Sequence, residues 1–133
     1  MLFEDIEIGQ AAALKRSFSA EDVALFGSLS LDTNPVHFDE AYAQTTPFKQ
    51  KIVHGMLVSS LVSAVLGTQL PGPGTIVARL ELKFSKPVFY DEEVIAEAVV
   101  AEKIPRMKVV IMEVACKKAD GSVVLKGSAT VTC

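Results

Sequence analysis

Basic charge is scarce in this sequence. Its 13 Lys and Arg stand against 16 Asp and Glu, a net charge of −3. The clustered basic face of a nucleic-acid binder is therefore absent, and Lys117-Lys118 reads as a solvated turn flank. Cysteine is scarcer still. Cys116 lies in an apolar run and Cys133 is the last residue, with no spacing for a disulfide framework or a zinc site. No apolar run reaches the roughly 20 residues that cross a bilayer. The opening Met-Leu-Phe-Glu-Asp lacks the basic and apolar regions of a signal peptide. These absences point to a reducing, aqueous compartment: the cytoplasm, or an organelle matrix if a targeting segment has been removed. A Gly-x-Ser-x-Gly elbow is also missing, which excludes the usual serine-hydrolase arrangement. Pro71-Gly72-Pro73-Gly74 has neither the spacing nor the lysine of a phosphate loop.

What is present is apolar. Half of the 133 residues are hydrophobic and 22% are charged, which describes one folded domain spanning 1–133 rather than a disordered chain. The stretch from Ile52 to Gly67 contains no charge, and its polar groups are His54, Ser59, Ser60 and Ser63. A helix apolar on nearly every side must be wrapped by protein. The rest of the chain is expected to fold round it, with Gly67 as its stop.

Before it, Ala11 to Phe18 reads as a weak strand. Ser19 with Asp22 forms a capping box for a helix from Ala20 to Leu29, placing Val23, Phe26 and Leu29 on one face. Asp39 caps a short helix from Glu40 to Gln44. Beyond the Pro-Gly turn the texture changes. Ile76, Ala78, Leu80, Leu82 and Phe84 alternate with Val77, Arg79, Glu81 and Lys83, a half-buried strand. Glu92 to Glu102 is ambiguous: its Glu and Ala favour helix, its alternation favours strand. Met107 to Cys116 and Ser122 to Thr132 are strands joined at the Asp120-Gly121 turn.

The chemistry concentrates before the central helix. The two histidines are His37 and His54, and histidine most readily takes and gives a proton near neutrality. Asp32 and His37 share one loop with Pro35 between them, and Asn34 can pin it. A stiff loop holding a carboxylate and an imidazole suits addition of water to a polarised double bond, or its reverse. Unpaired N–H groups near Gly55 can stabilise an oxyanion. The plainer reading is that Asp-Thr-Asn-Pro is an ordinary turn, with His54 a hydrogen-bonded structural histidine and the serines small packing residues. A metal held by Asp32, His37 and Asp39 ranks low.

Ser-Leu-Asp-Thr-Asn-Pro-Val-His, followed by Ala43, resembles the hydratase-2 motif of the MaoC-like (R)-specific enoyl-CoA hydratases and hydroxyacyl-thioester dehydratases. Ile52-Val53-His54-Gly55-Met56-Leu57 and the Leu70 to Gly74 turn are similar to the same family, in the same order. The departure is Leu31, where many members carry glycine. The resemblance implies an α+β hot-dog fold, a long central helix wrapped by a curved antiparallel sheet of about five strands, with Glu92 to Glu102 a strand. It implies a homodimer whose sheets join, and a thioester tunnel beside the subunit boundary.

For the site, the resemblance implies that Asp32 and His37 hold the water added to a trans-2-enoyl-CoA, giving an (R)-3-hydroxyacyl-CoA. The Gly55 N–H would polarise the thioester carbonyl and Asn34 would orient. Ser63, Leu66 and Val131 would line the acyl pocket and limit it to short or medium chains. Neither cofactor nor metal is implied, because the thioester is itself the electron sink. The alternatives are the same reaction on acyl-carrier-protein thioesters, a hot-dog thioesterase, and a non-catalytic acyl-thioester-binding module.

Overall fold

The computed structural model describes residues 1–133. Five strands form one antiparallel sheet in the order β1-β3-β4-β5-β2. They are β1 (Ala11–Arg16), β2 (Ile76–Phe84), β3 (Val94–Ile104), β4 (Val109–Lys118) and β5 (Val123–Thr132). The ambiguous segment is thus a strand. Its inward residues Val94, Ala96, Ala98 and Val100 are all buried. The two alanines leave room for a helix to lie close over the sheet, which outweighs their helical preference.

That helix is α3 (Gly55–Thr68), after α1 (Ala20–Ser30) and α2 (Glu40–Gln44). It buries Val58, Leu61, Val62, Val65 and Leu66 in one cluster with β3, β4 and β5. Removing such apolar surface from water is the main force holding helix to sheet. Cys116 on β4 directs its S–H at the Val58 carbonyl, 3.9 Å away, and burial pushes its thiol up to about 12. On β5, Gly127 lies so near β2 that a Cβ there would stand 1.7 Å from the Glu81 carbonyl oxygen.

The caps form as expected. Ser19 and Asp22 bond each other's backbone N–H at the start of α1, and the Asp39 carboxylate accepts from Tyr42 N–H on α2. Other expectations are corrected. Leu29 is 84% exposed and does not share the buried face of Val23. Ile52 precedes α3 and forms a bridge with Phe89. The helix passes through Gly67 to Thr68, and the left-handed glycines that turn the chain are Gly72 and Gly74. Leu31 ends α1 in the left-handed region at φ 66°. That conformation disfavours a side-chain-bearing residue by roughly 1–2 kcal/mol and suits glycine.

The strand expected to be half-buried is an open edge. On β2, Ile76, Leu80 and Phe84 are 64%, 45% and 49% exposed. Alternation identified the face of Leu80, Leu82 and Phe84, opposite Ala129, Gly127 and Leu125, but a register shift between Val77 and Arg79 puts Val77 opposite Val131 and turns Ile76 to the other face.

Candidate active site

Three devices shape the loop between α1 and α2. Pro35 opens a 3-10 turn, Pro35–His37, and the Asn34 side-chain oxygen caps it by accepting from Val36 N–H at 3.3 Å. The Asn34 backbone N–H donates to the Asp32 carboxylate at 3.2 Å. Asn34 thus touches both ends of the loop, through its backbone towards Asp32 and its side chain towards the turn carrying His37. Asp32 stays exposed while His37 is buried.

His37 is clamped to the segment before α3. Its Nδ1 lies 2.9 Å from the Ile52 carbonyl, and Ile52 N–H donates to the Val36 carbonyl. A carbonyl only accepts, so Nδ1 carries the proton and neutral His37 presents a bare Nε2. The Tyr90 hydroxyl donates to the His37 carbonyl. Burial lowers the His37 pKa, and the nearby His54 imidazole adds to this. The Ile52 hydrogen bond and the Asp32 carboxylate oppose it without reversing it.

His54, the residue before α3, joins this group. A carboxylate oxygen of Asp32 and one ring nitrogen each of His37 and His54 lie within 4.8 Å of one another. The imidazoles stack, with centroids 3.8 Å apart and planes 27° apart. That stacking is wrong for a shared metal ion. A ligand nitrogen points its lone pair along its ring plane, and an ion ~2.0–2.1 Å from both nitrogens cannot lie in two such planes. Asp39, the third ligand considered from sequence, instead caps α2.

Gly55 is the first residue of α3, and the helix's own ladder begins only at Val58 N–H to the His54 carbonyl. The early N–H groups therefore point outward at the positive end of the helix dipole. A cavity of about 330 Å³ opens beside Gly55, lined mainly by apolar residues including Phe48, Ile52, Val53, Val58 and Phe84. Phe84 crosses from the β2 edge to within 3.1 Å of where a Gly55 Cβ would be. A larger depression of about 680 Å³ lies on the outer sheet face among mixed charges such as Lys83, Glu97 and Lys117, and shares no residue with this group.

Not every expected residue gathers here. Of the expected residues, Gly55 alone lines that cavity: Asp32, Asn34 and His37 lie outside its lining, Ser63 is exposed on α3, and Leu66 and Val131 are 1% and 0% exposed in the packed core. Tyr90 went unnoticed in the sequence because its contact with His37 spans 53 residues and no local pattern announces it.

The family model for the MaoC like domain matches residues 5–121. This chain belongs to the MaoC-like family. It is 50% identical over 129 residues to an (R)-specific enoyl-CoA hydratase of Rhodospirillum rubrum, covering 97% of this chain and 89% of that protein. It is 40% identical to a 3-hydroxybutyryl-CoA dehydratase of Methylorubrum extorquens, covering 98% of this chain and 83% of the relative. The solved (R)-hydratase of Aeromonas caviae, described as involved in PHA biosynthesis, superposes with a TM-score of 0.94 at 41% identity. That match covers 97% of this chain and 98% of the other. The sheet and α3 of this MaoC-like chain are accordingly a hot-dog fold. None of its helices is long and apolar enough to cross a membrane.

Proposed function

We propose that this chain hydrates trans-2-enoyl-CoA reversibly to (R)-3-hydroxyacyl-CoA, on short to medium acyl chains. One observation carries the reading. The Asp32 carboxylate and the bare His37 Nε2 are neighbours in a proline-stiffened loop, docked through His54 on the first peptide of α3. The CoA substrate and the (R) outcome follow the R. rubrum and A. caviae relatives.

The chemistry runs on acceptors. An ionised carboxylate and a bare imidazole nitrogen only accept, so a water between them donates both hydrogens and turns a lone pair outward. As its oxygen bonds to C3, the alkene electrons move into the conjugated thioester as an enolate. The Gly55 N–H faces the charge developing on the carbonyl oxygen. The Asp32–His37 pair takes one proton from water and delivers one to C2, so H and OH have added across the double bond. The thioester is the electron sink, and no cofactor enters the scheme.

An assay with crotonyl-CoA across pH tests this. The base must be unprotonated, and a lowered His37 pKa keeps it so into mild acid. The rate therefore holds as pH falls to about 6.5, the ordinary imidazole value, and declines only below it. An acidic limb above pH 7 contradicts this assignment, and faster turnover of matched acyl-carrier-protein thioesters moves the substrate to the carrier protein.

The working unit of this reading is a dimer. β2 presents Ile76, Leu80 and Phe84 to solvent along an unpaired edge, a liability that pairing with a second β2 removes. Sedimentation is expected to give twice the chain mass, and Leu80→Lys to give a monomer. A monomeric wild type overturns the dimer. Ser63, Leu66 and Val131 belong to the same proposal as limits on the acyl chain, supported by the family resemblance.

A further inference from the structure

His54 exchanges no proton and holds no water in the scheme above, yet it is tied to the site from several sides. It is 1% exposed. Its Nε2 lies 2.9 Å from the backbone carbonyl of Asp32, a bond spanning 22 residues. Its face stacks on His37, and Phe26 and Phe38 meet it edge-on at 4.8 and 5.5 Å. Its Nδ1 is buried without a partner.

We propose that His54 is a positioning residue: a neutral imidazole whose Nε2–H holds the Asp32 loop against the start of α3 while its ring backs the His37 imidazole. The proton's place is set by the acceptor. The Asp32 oxygen is a carbonyl, so Nε2 must be the donor, and a neutral ring then leaves Nδ1 bare. A charged His54 would bury a second N–H without an acceptor, which is costly. Through its own peptide His54 is continuous with Gly55. One side chain thereby registers the water-holding pair against the N–H that faces the carbonyl oxygen. An error of about 1 Å between such groups slows a reaction on the order of 100-fold.

An aromatic side chain filling a hole would pack equally well without the hydrogen bond, and three substitutions separate the roles. Gln carries an amide nitrogen near the place of Nε2. Asn carries its amide near the place of Nδ1, and Phe keeps the flat ring alone. His54→Gln is expected to retain crotonyl-CoA turnover within several-fold of wild type. His54→Asn and His54→Phe are expected to lose about 10- to 100-fold in kcat, with KM changed by less than about threefold. Hydrogen exchange of residues 31–38 should quicken in the Asn and Phe proteins and stay near wild type in the Gln protein. Equal kcat and equal exchange in the Gln and Asn proteins, or wild-type values in the Phe protein, overturn the proposal. The kinetic arm rests on the hydratase reading and the exchange arm does not. A wild type inactive on every enoyl thioester would sink that reading, while the exchange series would still decide the role of His54.

Discussion

Asp32→Asn lowers crotonyl-CoA hydration by about 10²–10⁴-fold, and His37→Gln does the same, the range found when a positioned acid or base is removed. Asparagine keeps the shape of the carboxylate and an oxygen for the Asn34 N–H, the bond that forms the turn. The loop should therefore survive. What is lost is chemical, since an NH₂ group stands where water needs an acceptor and no group there takes a proton. Asp32 is exposed, so folding stability should move by less than about 0.5 kcal/mol. The double variant should be little slower than the worse single one, because in the proposed scheme the two groups hold one water and act as a unit. Steady-state rates, with thermal melts to verify folding, check this. Folded variants with wild-type rates remove both residues from the mechanism.

Gly55→Pro lowers kcat about 10²–10³-fold relative to Gly55→Ala, the loss expected when one oxyanion donor disappears. Proline has no N–H, yet the backbone accepts it. Position 55 is the first of α3, where proline's fixed φ suits the helix. His54 before it has ψ 131°, outside the α region that a following proline disfavours. The obstacle is Phe84, whose ring lies 3.1 Å from the new Cβ. Alanine meets the same obstacle and keeps its N–H, so the alanine-to-proline ratio isolates the donor. Placing both on a Phe84→Leu background relieves the crowding. Equal rates for the alanine and proline variants would take the amide out of the chemistry.

The features legible in the sequence are those whose cause lies within a few residues. The capping box at Ser19, the Asp39 cap and the Asp120-Gly121 turn depend on neighbours alone. The loop from Asp32 to His37 was legible for the same reason, as Asn34 and Pro35 shape it locally. Glu92 to Glu102 could not be decided, because its alanines become strand residues only when α3 lies over them. The alternation of β2 marked an apolar face from Leu80 to Phe84, but no period shows the register shift that turns Ile76 to the other side, or what will cover the strand. Gly67 looked like a stop because glycine suits one, yet the helix runs to Thr68 and is capped by Gln69, and the left-handed glycines come later, at Gly72 and Gly74. His54 was visible as a histidine at a helix start, while its bond to Asp32 and its stack on His37 exist only after folding. Leu66 and Val131 were named through resemblance, and their apolar character agrees with their burial in the core cluster.

The most direct test is a crystal structure of the Asp32→Asn protein with crotonyl-CoA bound. The account predicts the thioester oxygen about 2.7–3.1 Å from the Gly55 nitrogen, with C3 facing a water on His37 Nε2. A well-ordered acyl group whose carbonyl points away from α3, or whose alkene lies out of reach of both side chains, contradicts it.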